Sequence, residues 1–168
     1  DAEVIILAYN FLKTLRLNEI TLEINTLGSQ SVRDKYIQVL QTLLNKYKND
    51  FSDIDKQRLE KNPLRLFDSK DKKCQEIINE KAPTIYDYIT NEDKSHFNNV
   101  CSILDNLNIK YFHDKTLVRG LDYYTRTTFE IKSQSLGSQD ALCGGGRYDG
   151  LVEQLGGPPT PAVGFAAG

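Results

Sequence analysis

Apolar residues in positions 1–17 recur at helical spacing: Val4, Ile5, Leu7, Ala8, Phe11, Leu12 and Leu15. An amphipathic helix is expected there, with these side chains inward. Ile20, Leu22 and Ile24 alternate with Thr21 and Glu23, which predicts a strand ended by residues 25–28. Ser29, Gln30 and Ser31 supply an N-cap for a helix over 32–47, with Tyr36, Val39, Leu40, Leu43 and Leu44 inward. From residue 31 to about 107 the pattern stays helical, broken at Pro63 and Pro83. Helices are expected over 53–61, 70–79 and 91–107, followed by a short strand over 109–112.

A long strand is expected from Tyr123 onward, where aromatic and β-branched residues dominate. Alternation puts Tyr123, Thr125, Thr127, Phe129 and Ile131 on an apolar face, and Tyr124, Arg126, Thr128, Glu130 and Lys132 on a polar one. Arg119 stands just before it, a permanent charge whose planar fork of donors suits carboxylate or phosphate. After a polar loop, residues 141–143 resume a strand that runs into Gly144, Gly145 and Gly146, expected as a turn. Asp149 is expected to cap a short helix with Leu151, Val152 and Leu155 inward, ended by Gly156, Gly157 and two prolines. Residues 162–168 then begin a strand expected to be buried. Helices interrupting two strand-rich regions point to an α+β fold with an inserted helical lobe. The divisions are 1–30 with 108–168, and 31–107.

A chain of 168 residues buries one core, or one core and a small lobe. Net charge is −2, so no global basic field points to nucleic acid. Locally, seven basic residues (Lys56, Arg58, Lys61, Arg65, Lys70, Lys72, Lys73) face three acidic ones between 56 and 73. Such a patch is what phosphate contacts need, although a solvated helix face has the same composition. Cys74, Cys101 and Cys143 are an odd, dispersed set, which favours a reducing compartment over a disulfide framework. No apolar run approaches a membrane span, and a soluble, cytoplasmic protein without membrane partners is expected. His96 and His113 stand alone, so no metal site is expected. Neither a Walker loop nor a dinucleotide fingerprint is present.

Arg119-Gly120-Leu121-Asp122-Tyr123-Tyr124-Thr125 resembles the histidine-specific signature of histidyl-tRNA synthetases. Residues 144–157, opening Gly-Gly-Gly-Arg-Tyr-Asp-Gly, resemble that family's second signature, and 160–168 resemble the opening of its class II motif 3. The resemblance implies part of a class II antiparallel sheet with flanking helices, plus an all-α insertion that holds the tRNA acceptor stem. It implies a parent enzyme that activates L-histidine with ATP and Mg²⁺, transfers it to tRNA(His), and works as a homodimer. Arg119 would be catalytic, stabilising charge on the α-phosphate. Tyr123, Tyr124 and Tyr148 would line the histidine pocket; strand parity favours Tyr124 for the imidazole and Tyr123 for packing. Gly145, Gly146 and Gly164 would let the backbone approach the adenylate. Cys143-Gly144 stands where the family has alanine before paired glycines, so the ligand-facing pair stays open, with Gly145-Gly146 the better match. Lys70, Lys72 and Lys73 are the candidates for tRNA. A chain starting at Asp1 and stopping at Gly168 is expected to be a piece of a longer protein, lacking motifs 1 and 2 and inactive by itself. The alternatives are a synthetase-like regulatory subunit of histidine biosynthesis, or an RNA-binding helical lobe only.

Overall fold

The computed structural model describes residues 1–17, 19–118, 123–133 and 141–168. Five strands form one sheet in the order β2-β1-β3-β4-β5. They are β1 (Ile20–Thr26), β2 (Phe112–His113), β3 (Thr125–Ser133), β4 (Ala141–Arg147) and β5 (Val163–Ala167). All pairings are antiparallel except β1 with β2, which is parallel, so the sheet is mixed rather than purely antiparallel.

Register decides which residues share a face. Phe129 opposes Ile24 and Gly145, Ile131 opposes Leu22 and Cys143, and Gly145 opposes Phe165. Leu22, Ile24, Phe129, Ile131 and Cys143 are buried beneath α1 (Ala2–Thr14) and α5 (Asn91–Asn106). From α1 come Ala2, Ile5, Ala8 and Leu12; from α5 come Phe97, Val100 and Leu104. This corrects the helical face expected for residues 1–17. Leu7, Phe11 and Leu15 are 61%, 46% and 55% exposed, because the stripe one step round the helix meets the sheet.

A second core joins α2 (Gln30–Leu44), α3 (Asp53–Lys61), α4 (Lys72–Lys81) and their connecting 3₁₀ turns. Tyr36, Leu40, Leu44, Leu59, Leu64, Leu66 and Cys74 are buried there. Burial pushes the Cys74 thiol up to about 11, so it packs as a neutral apolar group. Side chains begin these helices: Asp71 Oδ1 accepts the Cys74 N–H at 2.9 Å, and Thr90 with Asp93 closes a reciprocal capping box on α5. The helical stretch 31–107 therefore divides by packing. α2 to α4 share one core, whereas α5 lies on the sheet. No helix among the described residues is long and apolar enough to cross a membrane.

Four further expectations change around the glycines. Gly144, Gly145 and Gly146 are not a turn; they sit within β4, paired on both sides. The helix after them, α6 (Leu151–Gln154), buries none of its residues, and Leu155 is 79% exposed. Asp149 makes no cap there, because its carboxylate is taken by Arg147 and by the Ala162 N–H. β5 is an edge strand, half-buried at Val163 to Phe165 and exposed at Ala166 and Ala167, rather than fully buried.

Candidate functional site

The sheet face opposite α1 and α5 carries the polar partners of the same register. Glu23 opposes Glu130, which opposes Gly144; Asn25 opposes Thr128, which opposes Gly146; and Gly146 opposes Gly164. Lys132 Nζ lies 2.6 Å from Glu23 Oε2 and 3.5 Å from Glu130 Oε2. Along one band this face has almost no side chains. Backbone is therefore the floor on which a flat ligand could lie.

Three tyrosines stand at the end of that floor. Tyr123 and Tyr124 ring centroids are 4.7 Å apart, and Tyr148 meets both edge-on at 5.7 and 6.1 Å. A Cβ placed on Gly146 would press on the Thr127 carbonyl oxygen and lie 3.1 Å from the Tyr124 ring. A Cβ on Gly164 would lie 2.6 Å from Tyr148 Oη. Gly146, Gly164, Tyr124 and Tyr148 thus share one side of the sheet. Gly145 does not: it is buried on the core side, where an added Cβ would lie 2.7 Å from Phe165 Cβ. Period-two alternation turns Gly145 toward the core, away from the polar face on which Gly144 and Gly146 lie.

Burial also separates the tyrosines. Tyr124 is 6% exposed and packs into the helical core, whereas Tyr123 and Tyr148 are half-buried at its margin. Of the two rings it is Tyr124, not Tyr123, that is the more deeply packed. Alternation fails there because β3 starts only at Thr125 and is irregular between Thr125 and Thr128. Within that irregularity Arg126 has φ of +51°, a left-handed value that re-aims the chain. Its guanidinium binds Glu92 Oε1 at 2.7 Å, and its backbone N–H donates to the carbonyl of Gly28, itself at φ +66°.

A hollow of about 420 Å³ opens on the polar face, lined by Glu130, Lys132, Asp114, Thr116, Leu117 and Val118 from the sheet side and Phe67 and Asp68 from the helical side. The segment before Val118 is fastened by Asn25, a fully buried side chain. Its Nδ2 donates to Leu117 O at 2.9 Å and to Lys115 O at 3.3 Å. Its Oδ1 lies 3.2 Å from His113 Nε2. Arg119, the expected α-phosphate ligand, lies outside the described residues. Lys70, Lys72 and Lys73 are exposed around the start of α4, and Lys73 is held by Asp50 at 2.7 Å.

Sequence reading missed the buried cluster behind the tyrosines. Asp1 Oδ1 accepts from Arg147 Nε and Nη2 at 2.8 and 2.6 Å, and Asp1 Oδ2 lies 2.6 Å from His96 Nε2. Burial, then the Arg126 and Arg147 guanidiniums, lower the His96 pKa, which favours the neutral ring donating Nε2–H to Asp1. No short-range signal marks this cluster, because its members lie on four separate elements.

A mixed, largely antiparallel five-stranded sheet with two helices behind it and a glycine-lined polar face is the fold of the class II aminoacyl-tRNA synthetases. Solved structures agree. The apo Staphylococcus aureus histidyl-tRNA synthetase superposes with a TM-score of 0.76 at 34% identity, over 99% of this chain and 40% of that one. The histidyl-tRNA synthetase family description matches residues 1–168, and the chain belongs to that family. A histidine–tRNA ligase of Gloeothece citriformis is 51% identical over all 168 residues, which cover 39% of that protein. The chain thus spans about two-fifths of the curated relatives it matches. A Bacillus halodurans protein described as an ATP phosphoribosyltransferase regulatory subunit/histidyl-tRNA synthetase also superposes, with a TM-score of 0.57 at 25% identity, over 99% of this chain and 47% of that one.

Proposed function

We propose that this chain is the central part of the catalytic region of a histidine–tRNA ligase. The full-length protein joins L-histidine to ATP, releasing pyrophosphate, and passes the histidyl group from the adenylate to tRNA(His). The observation that carries the reading is the tyrosine trio over Gly146 and Gly164, within a chain whose family match spans its whole length.

In this reading the half-buried Tyr123 and Tyr148 offer phenols to the imidazole, and Tyr124 is the buried wall behind them. A neutral imidazole has one donor and one acceptor nitrogen, so a hydroxyl satisfies one of them. A site built to pair both rejects analogues that leave its groups unpaired. Gly144, Gly146 and Gly164 keep the floor free of Cβ atoms, as a flat adenylate needs. Arg119 meets the α-phosphate, where negative charge concentrates in the transition state. ATP is a substrate here, and Mg²⁺ arrives on its phosphates to offset their charge. The full-length protein is a cytoplasmic homodimer. Within residues 31–107, α2 to α4 form its insertion, with Lys70 and Lys72 freer than Lys73 to meet the tRNA backbone.

Histidine-dependent pyrophosphate exchange by the full-length protein tests this. Exchange that needs histidine is the expected result, and its absence would leave the regulatory-subunit reading.

A further inference from the structure

Tyr148 stands between two anchored neighbours. Arg147 donates through Nε and Nη2 to Asp1 Oδ1, and through Nη1 to Asp149 Oδ1 at 2.8 Å. Asp149 Oδ1 accepts the Ala162 N–H at 3.1 Å, and the Tyr148 N–H donates to Ala162 O at 2.8 Å. The Asp1 side chain is only 1% exposed. Its other oxygen accepts from Thr127 Oγ1 and faces His96 Nε2 at 2.6 Å. One carboxylate therefore ties the start of α1, α5, β3 and the end of β4 together.

Its partners leave little freedom. Two guanidinium N–H groups meet one oxygen, while a hydroxyl and an imidazole meet the other. Charge-assisted contacts of this kind are short and directional. They hold Arg147 behind the sheet, on the side of Thr127. Tyr148, the next residue, emerges on the opposite side with its hydroxyl over Gly164.

We propose that Asp1 is a positioning residue for the histidine site: through Arg147 its carboxylate sets the direction in which Tyr148 crosses the glycine floor. The inference rests on the reading that Tyr148 lines the histidine pocket. Asp1 touches no ligand in this account. It acts at a distance, because a ring displaced by about 1 Å loses up to roughly 100-fold in a positioned reaction.

The test uses the full-length protein and three variants: Asp1→Asn, which keeps volume and removes charge; Arg147→Lys, which keeps charge and removes the fork; and Tyr148→Ala. Histidine affinity is read by calorimetry without ATP, and the KM values for histidine and ATP by pyrophosphate exchange. Asp1→Asn and Arg147→Lys are each expected to weaken histidine about 10-fold and to change the ATP KM less than 2-fold. The double variant is expected to be no worse than the poorer single one, because both act along one path. Equal losses for histidine and ATP, additive losses, or unchanged histidine affinity would overturn the inference. If Asp1→Asn does not fold, Arg147→Lys alone decides by the same split. Tyr148→Ala separates the two levels. Histidine affinity unchanged in that variant removes the pocket reading and this inference with it. Affinity lost there but kept in Asp1→Asn removes only the inference.

Discussion

At the scale of single residues, the site depends on atoms that are missing. Gly164 has no Cβ, and that gap is where the Tyr148 hydroxyl sits. Gly164→Ala is expected to destabilise the chain by about 1–3 kcal/mol, the usual cost of overpacking. Tyr148→Phe should restore most of it, since the next ring atom, Cζ, is 3.5 Å from the added methyl. Urea midpoints of the two single variants and the double would decide; no rescue would mean that the hydroxyl is not the obstacle. Arg119→Ala in the full-length protein is expected to cut adenylate formation at least about 100-fold while tRNA affinity holds. Single-turnover adenylation and filter binding measure the two separately.

At the scale of elements, local chemistry starts the helices and tertiary contact chooses their faces. Thr90 and Asp93 exchange two hydrogen bonds with each other's backbone at the head of α5, at 3.1 and 3.3 Å. Thr90→Ala should lower stability by about 1 kcal/mol, and its thermal midpoint would show it. The Ser-Gln-Ser run was a weaker guide. α2 begins beside Ser29, but no side-chain hydrogen bond caps it. The bounds of α3 were legible to the residue because Ser52 and Pro63 bracket it. The buried face of α1 was not legible. Seven apolar residues cover more of a helix than one sheet can take, and periodicity alone does not say which remain outside. Leu7, Phe11 and Leu15 remain outside.

At the scale of the molecule there are two cores, and the three tyrosines belong to the helical one. Phe129 is fully buried at the centre of the sheet's core, and Phe129→Ala should cost about 3–5 kcal/mol. Two half-buried histidines are expected to make stability depend on pH. Burial, then Arg126 and Arg147, lower the pKa of His96; burial, then Lys115, lowers that of His113. The unfolded chain therefore binds more protons than the folded one just below the usual histidine value near 6.5. Their contribution is present in full above that pH and is lost as the pH falls toward the folded values. The unfolding free energy from urea titrations is expected to drop between pH 7.5 and 5.5, by no more than about 1.4 kcal/mol per pH unit for each histidine. His96→Gln with His113→Gln should flatten that slope, and an unchanged slope would assign it to other groups.

Most element types, the helical stretch between strand regions, and the family signatures followed from the chain's own order. Each is carried by neighbours in sequence: a period, a cap, a run of glycines before arginine and tyrosine. What the order of residues could not supply was sidedness and partnership. Whether Gly145 or Gly144 lies on the polar face depends on cross-strand register, and whether Tyr123 or Tyr124 is buried depends on an irregularity that breaks alternation. Asp1 finds Arg147 across nearly the whole chain. Such contacts exist only once the sheet has closed, because folding, not adjacency, brings those atoms within reach.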